Sequence, residues 1–136
     1  MNKNFLITAC ILTAVTVALG AFGAHKLKEL VSPELVNSFD TGVRYQFYHC
    51  FALFITAFLH GKYRSKGFET VFYLFIAGIV CFSGSIYLLT FMKIGNAVGV
   101  KGIGFITPLG GLLFIIAWVY LAVIIKKSRE NSLKAI

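Results

Sequence analysis

Three histidines, three cysteines and a scatter of hydroxyl and amide side chains are what this chain of 136 residues offers for chemistry. A metal centre needs three or four ligands. His25 and His49 can be brought together, but Cys10, Cys50 and Cys81 are widely spaced, and no Asp or Glu lies in the long apolar stretches that hold most of the chain. Cys50 follows His49 directly, which puts the two about 100° apart around a helix. No metal site and no cofactor are expected, and the cysteines read as small buried hydrophobes. Nucleophilic catalysis needs a nucleophile, a base and a group that orients the base. Ser83 or Ser85 with His49 supplies two of the three, and no third is in sight. The residues therefore assign no catalytic role, and a non-enzymatic protein is expected.

The elements that hold these residues are set by composition. Hydrophobic residues make up 58% and charged residues 13% of the chain, and mean hydropathy is +0.83. A water-soluble globule carries about 25% charged residues, and this chain has too few to cover a surface. The same figures exclude disorder, and a count of only three cysteines excludes a disulfide-built secreted fold. The net charge of +8 raises the question of nucleic acid. The lysines and arginines, however, sit in short clusters between uncharged runs rather than along one helix face, so no nucleic-acid partner is expected. The lipid bilayer is the expected partner, and a second copy of the chain is a further candidate.

Spanning a bilayer takes about 20 apolar residues in a helix. Four uncharged stretches approach that length: Phe5–Ala24, Tyr45–Gly61, Thr70–Met92 and Gly102–Ile125, the last taken as a span over 103–125. The expected fold is an all-α integral membrane bundle of four transmembrane helices forming one domain, 1–136. The first stretch reads as a retained helix rather than a leader, because its apolar run continues well past Cys10. With four spans, the N-terminus, the 62–66 loop and the C-terminus share a side that carries eight Lys and Arg against five on the other. The excess of cations places both termini in the cytoplasm and the protein in the plasma membrane.

Two loops carry further signals. Ser32-Pro33-Glu34 has the form of a helix start. From there Leu35, Phe39, Val43, Phe47, Phe51 and Ile55 recur every four residues, so one apolar face is expected to run unbroken from the loop into the membrane. An amphipathic extension over 33–44 is therefore expected to lead into the second span, with Gly42 as a bend. The loop before the fourth span holds Gly95, Gly99, Gly102 and Gly104, and Thr107-Pro108 repeats the cap-and-proline pattern. Two starts for that helix stand equal: at Pro108, or near Gly102 with a kink at the proline.

Polar side chains inside a span are costly, so where they gather is informative. Gly42, Tyr45, Gln46, His49, Thr56 and His60 share one face of the second span, and Ser83, Tyr87 and Thr90 share a face of the third. The topology brings His25, Tyr45, Gln46, His49, Ser83, Ser85, Tyr87 and Thr107 together in the outer half of the membrane. Such a cluster is either packing glue between helices or a polar pocket open to the outside. In either case His49 is expected to be a neutral ring, partnered by Ser83, Ser85, Tyr87 or His25. Proton-driven export, which places several ionisable groups within the membrane, is disfavoured, since only His49 lies well inside a span.

Read in order, Gly20-Ala21-Phe22-Gly23-Ala24-His25, Tyr45-Gln46 with His49, Phe82-Ser83-Gly84-Ser85 with Tyr87, and Thr107-Pro108 with Gly110-Gly111 and Trp118 resemble the domain-of-unknown-function 423 family. These small four-helix membrane proteins look related to animal transmembrane protein 256. The resemblance covers roughly Ala18 to Ala122 and implies an integral membrane protein of about this size, with no activity to carry over. The expected function is a structural, membrane-stabilising or binding role. The alternative is a transporter or channel-like protein that passes a small solute or lipid through the polar pocket.

Overall fold

A computed structural model describes residues 3–96 and 102–134, apart from the side chains of residue 129 and of residues 131–134. Gly99 and Lys101 of the glycine-rich loop lie outside the described residues. Every regular element among those described is helical: α1 (Lys3–Ala24), α2 (Leu27–Leu30), α3 (Pro33–Tyr63), α4 (Lys66–Ile94) and α5 (Ile103–Lys134). Within α4, Val80–Gly84 forms a π turn between α-helical Lys66–Ile79 and Ser85–Ile94.

Pro33 opens α3 because its fixed φ suits the first helical turn and its missing N–H is not needed there. Ser32 holds the N-cap position but does not cap the backbone. Its side chain bonds Glu34 instead, and this, with the Glu34 backbone N–H, holds that carboxyl below the usual range. The helix runs unbroken for 31 residues through Gly42, so the extension over 33–44 and the stretch 45–61 are one rod. It ends at Arg64, in the left-handed region at φ 50°, whose N–H returns to the His60 carbonyl. Ser65 then caps α4 by accepting from the Gly67 N–H at 3.3 Å. Of the two starts for the last helix, the structure takes the earlier. Gly102, at φ +125°, turns the chain into Ile103, and α5 continues through Pro108. The backbone over 103–106 is thus helical rather than extended.

The four long helices pair as a row, α1 on α3, α3 on α4 and α4 on α5. Helix α3 and helix α5 meet through large side chains rather than close backbones, with the His49 and Phe114 rings stacked at 3.4 Å between centroids. The apolar core lies toward the α3–α4 link and holds Phe5, Leu53, Phe68, Phe72, Phe75, Phe114 and Leu121. Phe5 stacks on Phe72 at 4.0 Å, which fixes the start of α1 at that end of the bundle.

Burial is inverted relative to a soluble protein. On α3, Gln46, His49 and Thr56 are buried, while Phe47, Tyr48, Phe51, Ile55 and Phe58 are exposed. The apolar series from Leu35 to Ile55 is not a single face, as the spacing had implied. A step of four residues overshoots the 3.6-residue turn by about 40°, so the stripe winds around the helix. Phe39 is fully buried, whereas Phe51 and Ile55 have turned outward. Helices α1, α4 and α5 are long and apolar enough to cross a membrane by length and composition. Helix α3 is not among them, because its inward face is polar.

Candidate polar site

The site is organised by the π turn. Inserting a residue into the turn rotates the remainder of the helix, and such turns recur at functional positions. Here Ser83 is fully buried and donates to the Gly42 carbonyl of α3 at 2.7 Å. Two residues on, Ser85 donates to the Phe82 carbonyl of its own helix at 2.9 Å. Its oxygen lies 2.6 Å from the Thr107 hydroxyl of α5, which then serves as donor. One short segment thus binds helices on both sides.

Both contacts need bare backbone opposite them. A Cβ on Gly42 would sit 3.1 Å from a Tyr87 ring carbon and 3.3 Å from Ile86. A Cβ on Gly110 would be 2.7 Å from Phe82 Cα and closer still to the Phe82 nitrogen. Those are backbone atoms of the π turn and have nowhere to go. Gly110 therefore lets α5 lie directly against the turn.

Gln46 and Tyr87 form the second link between α3 and α4. The Tyr87 hydroxyl donates to Gln46 Oε1 at 2.8 Å, and Gln46 Nε2 donates to the Leu12 carbonyl of α1 at 3.5 Å. On α1, Thr16 donates to the same carbonyl at 2.6 Å and lies 3.7 Å from Cys50 Sγ. Gln46 is thus a bridge across three helices.

His49 is held differently from expectation. Its Nδ1 lies 2.6 Å from the Tyr45 carbonyl, and its Nε2 lies 3.3 Å from Trp118 Nε1. A carbonyl only accepts and an indole N–H only donates. The ring is accordingly the neutral Nδ1–H tautomer, with Nε2 accepting from Trp118. The partners expected from the sequence were Ser83, Ser85, Tyr87 and His25. The serines and the tyrosine are committed to Gly42, Phe82, Thr107 and Gln46, and His25 is exposed beyond the end of α1.

The structure therefore brings together Gln46, Ser83, Ser85, Tyr87 and Thr107, with His49 and Tyr45 beside them. Tyr45 is 41% exposed and contributes its carbonyl to His49 and its ring to a stack on Phe82 at 4.6 Å. His25 stands apart from the cluster. Trp118 and Phe114, on α5, are participants that sequence reasoning missed. A signal was present, since Thr107, Gly111, Phe114 and Trp118 follow one another at steps of four, three and four along one helix face.

A second polar contact lies at the opposite end of the bundle. His60 Nε2 is 3.0 Å from Glu69 Oε1 across the α3–α4 link, and His60 Nδ1 is buried without a partner. Glu69 lies one residue before the stretch taken as the third span, so it did not count among the polar groups inside the membrane.

An open groove of about 580 Å³ runs between α3 and α5. Tyr45, His49, Phe82, Pro108, Phe114 and Trp118 are among its lining residues. Its walls are mainly aromatic and aliphatic, and the nitrogens that line it are already partnered, His49 Nε2 by the Trp118 indole N–H and His49 Nδ1 by the Tyr45 carbonyl.

The family model described as "Protein of unknown function (DUF423)" matches residues 19–111. The chain is 42% identical over 122 residues to the UPF0382 membrane protein YwdK of Bacillus subtilis, covering 89% of this chain and 94% of that protein. It is 36% identical to the UPF0382 membrane protein SH2409 of Staphylococcus haemolyticus over 89% of this chain and 93% of that one. A UPF0382 membrane protein of Haemophilus influenzae is likewise 36% identical, over 90% and 93%. No solved structure matches the chain. With its helical architecture and its apolar helices, this chain is a membrane protein and belongs to the DUF423 family.

Proposed function

We propose that the chain is a non-enzymatic protein of the plasma membrane that crosses it four times, with both termini cytoplasmic, and that its role is structural, membrane-stabilising or binding. In this reading α3 is the fourth spanning helix. Its Gln46, His49 and Thr56 are buried inside the bundle rather than turned to lipid, and its outward face is aromatic and aliphatic. The observation that carries the structural role is the pairing within the cluster. Gln46, His49, Ser83, Ser85, Tyr87 and Thr107 bond to one another, to Trp118 or to backbone carbonyls. A solute pathway would need polar groups aimed at a lumen, whereas these are spent on holding helices together.

The aromatic groove between α3 and α5 favours a second reading, in which the protein takes up a small apolar solute or a lipid chain. Water access separates the two. With Cys10, Cys50 and Cys81 replaced by alanine, a Ser85→Cys variant in membranes is treated with a small water-soluble thiol reagent. A dry, structural cluster leaves the thiol unlabelled until the protein is denatured. Rapid labelling in the native membrane contradicts that role and favours a path.

A further inference from the structure

The two ends of the bundle differ in how their charges are balanced. At the end with the α1–α3 connection, Lys26 pairs with Glu29 at 2.5 Å and Arg44 with Asp40 at 3.0 Å. Lys28, Lys93 and Glu34 are the other charged residues described there, all exposed. Among the residues described there, four cations stand against three acids. At the opposite end, three separate parts of the chain bring cations together. The α3–α4 link supplies Lys62, Arg64 and Lys66 within five residues, all exposed. A Cβ on Gly67 would meet the Ile124 side chain, which places the start of α4 beside Lys126 and Lys127 of α5. The stack of Phe5 on Phe72 places Lys3 of α1 at the same end. Against these six exposed cations stand Glu69, bonded to His60, and the exposed Glu130. Among the described residues none of the six lies in an ion pair with an acid.

We infer that this basic end is a docking surface for the phosphate groups of anionic phospholipids in the adjoining leaflet. The chemistry is charge complementarity at close range. Six cations project from the ends of helices whose apolar flanks sit in the hydrocarbon, so their ammonium and guanidinium groups lie at headgroup depth. Tyr63, with the Lys62 ammonium 5.3 Å from its ring centre, is of a residue type enriched at that boundary. Polybasic segments beside membrane helices attract anionic lipids in this way, and the attraction weakens with salt. The inference depends on the protein being embedded in a bilayer, and not on which side the basic end faces.

The test uses the full chain in a neutral detergent, with equal amounts of phosphatidylglycerol and phosphatidylcholine added and the retained lipids counted by native mass spectrometry. Phosphatidylglycerol should be retained in preference. Combined Lys62→Gln, Arg64→Gln and Lys66→Gln substitution should cut the preference by at least about fivefold, the worth of one surface cation. Lys28→Gln with Lys93→Gln, at the other end, should leave it unchanged. Should the triple variant fail to insert, Lys126→Gln with Lys127→Gln decides in its place. Equal retention of the two lipids overturns the inference, as does a preference that survives the triple substitution or falls equally with the control pair. Inorganic phosphate equimolar with the lipid should not compete, and displacement by it would mark a free-anion site instead.

Discussion

The indole nitrogen of Trp118 lies 3.3 Å from Nε2 of His49, the only polar contact between side chains of α3 and α5 among the described residues. Because Nδ1 is committed to the Tyr45 carbonyl, the ring has one donor and one acceptor, both used. Trp118→Phe leaves Nε2 without its donor, and His49→Leu strands the indole N–H. Each should cost about 1–3 kcal/mol, the penalty for a buried polar group left unpaired. His49→Gln can offer an oxygen to Trp118 and should retain more stability than His49→Leu. In detergent melts, the double variant His49→Leu/Trp118→Phe should lose less than the sum of the two single losses. Additive losses would show that the contact carries no energy.

Gly110 and Gly104 sit on the same helix and should respond oppositely to alanine. A methyl group on Gly110 runs into the backbone of the π turn at Phe82, whereas one on Gly104 meets nothing within 4 Å. Overpacking of this kind costs about 1–3 kcal/mol, so Gly110→Ala should lower the melting temperature clearly. Gly104→Ala should be neutral or gain up to about 1 kcal/mol from the stiffer chain. Equal melts for the two variants would mean that α5 does not lie against the turn.

Gly42 and Arg44 make a similar contrast on α3. Arg44 holds an exposed pair with Asp40, and such pairs contribute about 0–1 kcal/mol. Arg44→Ala should therefore be nearly silent in a melt. Gly42→Leu should be far worse, because Tyr87 and Ile86 already close on that position.

Outside the apolar region, Glu34 gives a pH-dependent readout. The Ser32 hydroxyl bond and the Glu34 backbone N–H lower its carboxyl from the usual value. A depressed carboxylate stabilises the folded state above its unfolded pKa, and that contribution fades as pH falls through the lowered folded value. Ser32→Ala should bring the Glu34 titration back toward the ordinary carboxylate range, followed by carboxyl NMR. An unchanged titration would show that the hydroxyl does not hold the charge.

Local features of this fold were legible because they depend on neighbours in sequence. The start of α3 is written in Ser32-Pro33-Glu34, and the inward face of α3 in the three-and-four spacing of Gly42, Gln46, His49 and Thr56. What was not legible depends on pairing across helices. No residue pattern announces the π turn over Val80–Gly84, yet that turn decides that Ser83 reaches Gly42 while Ser85 reaches Thr107. His49 could be placed in the interior but not given its partner. Trp118 lies 69 residues away, and which aromatic meets the ring depends on how closely α5 approaches. Tryptophan also reads first as an apolar anchor, which hides its N–H.

The central claim is that α3 crosses the membrane with its polar face turned into the bundle. With the native cysteines replaced, single cysteines at Asn37 and Ser65 lie beyond the two ends of the segment proposed to cross. An impermeant thiol reagent should label Asn37→Cys in intact cells and Ser65→Cys only after the membrane is opened. Labelling of both from the same side would show that α3 does not cross, and would contradict the four-span account directly.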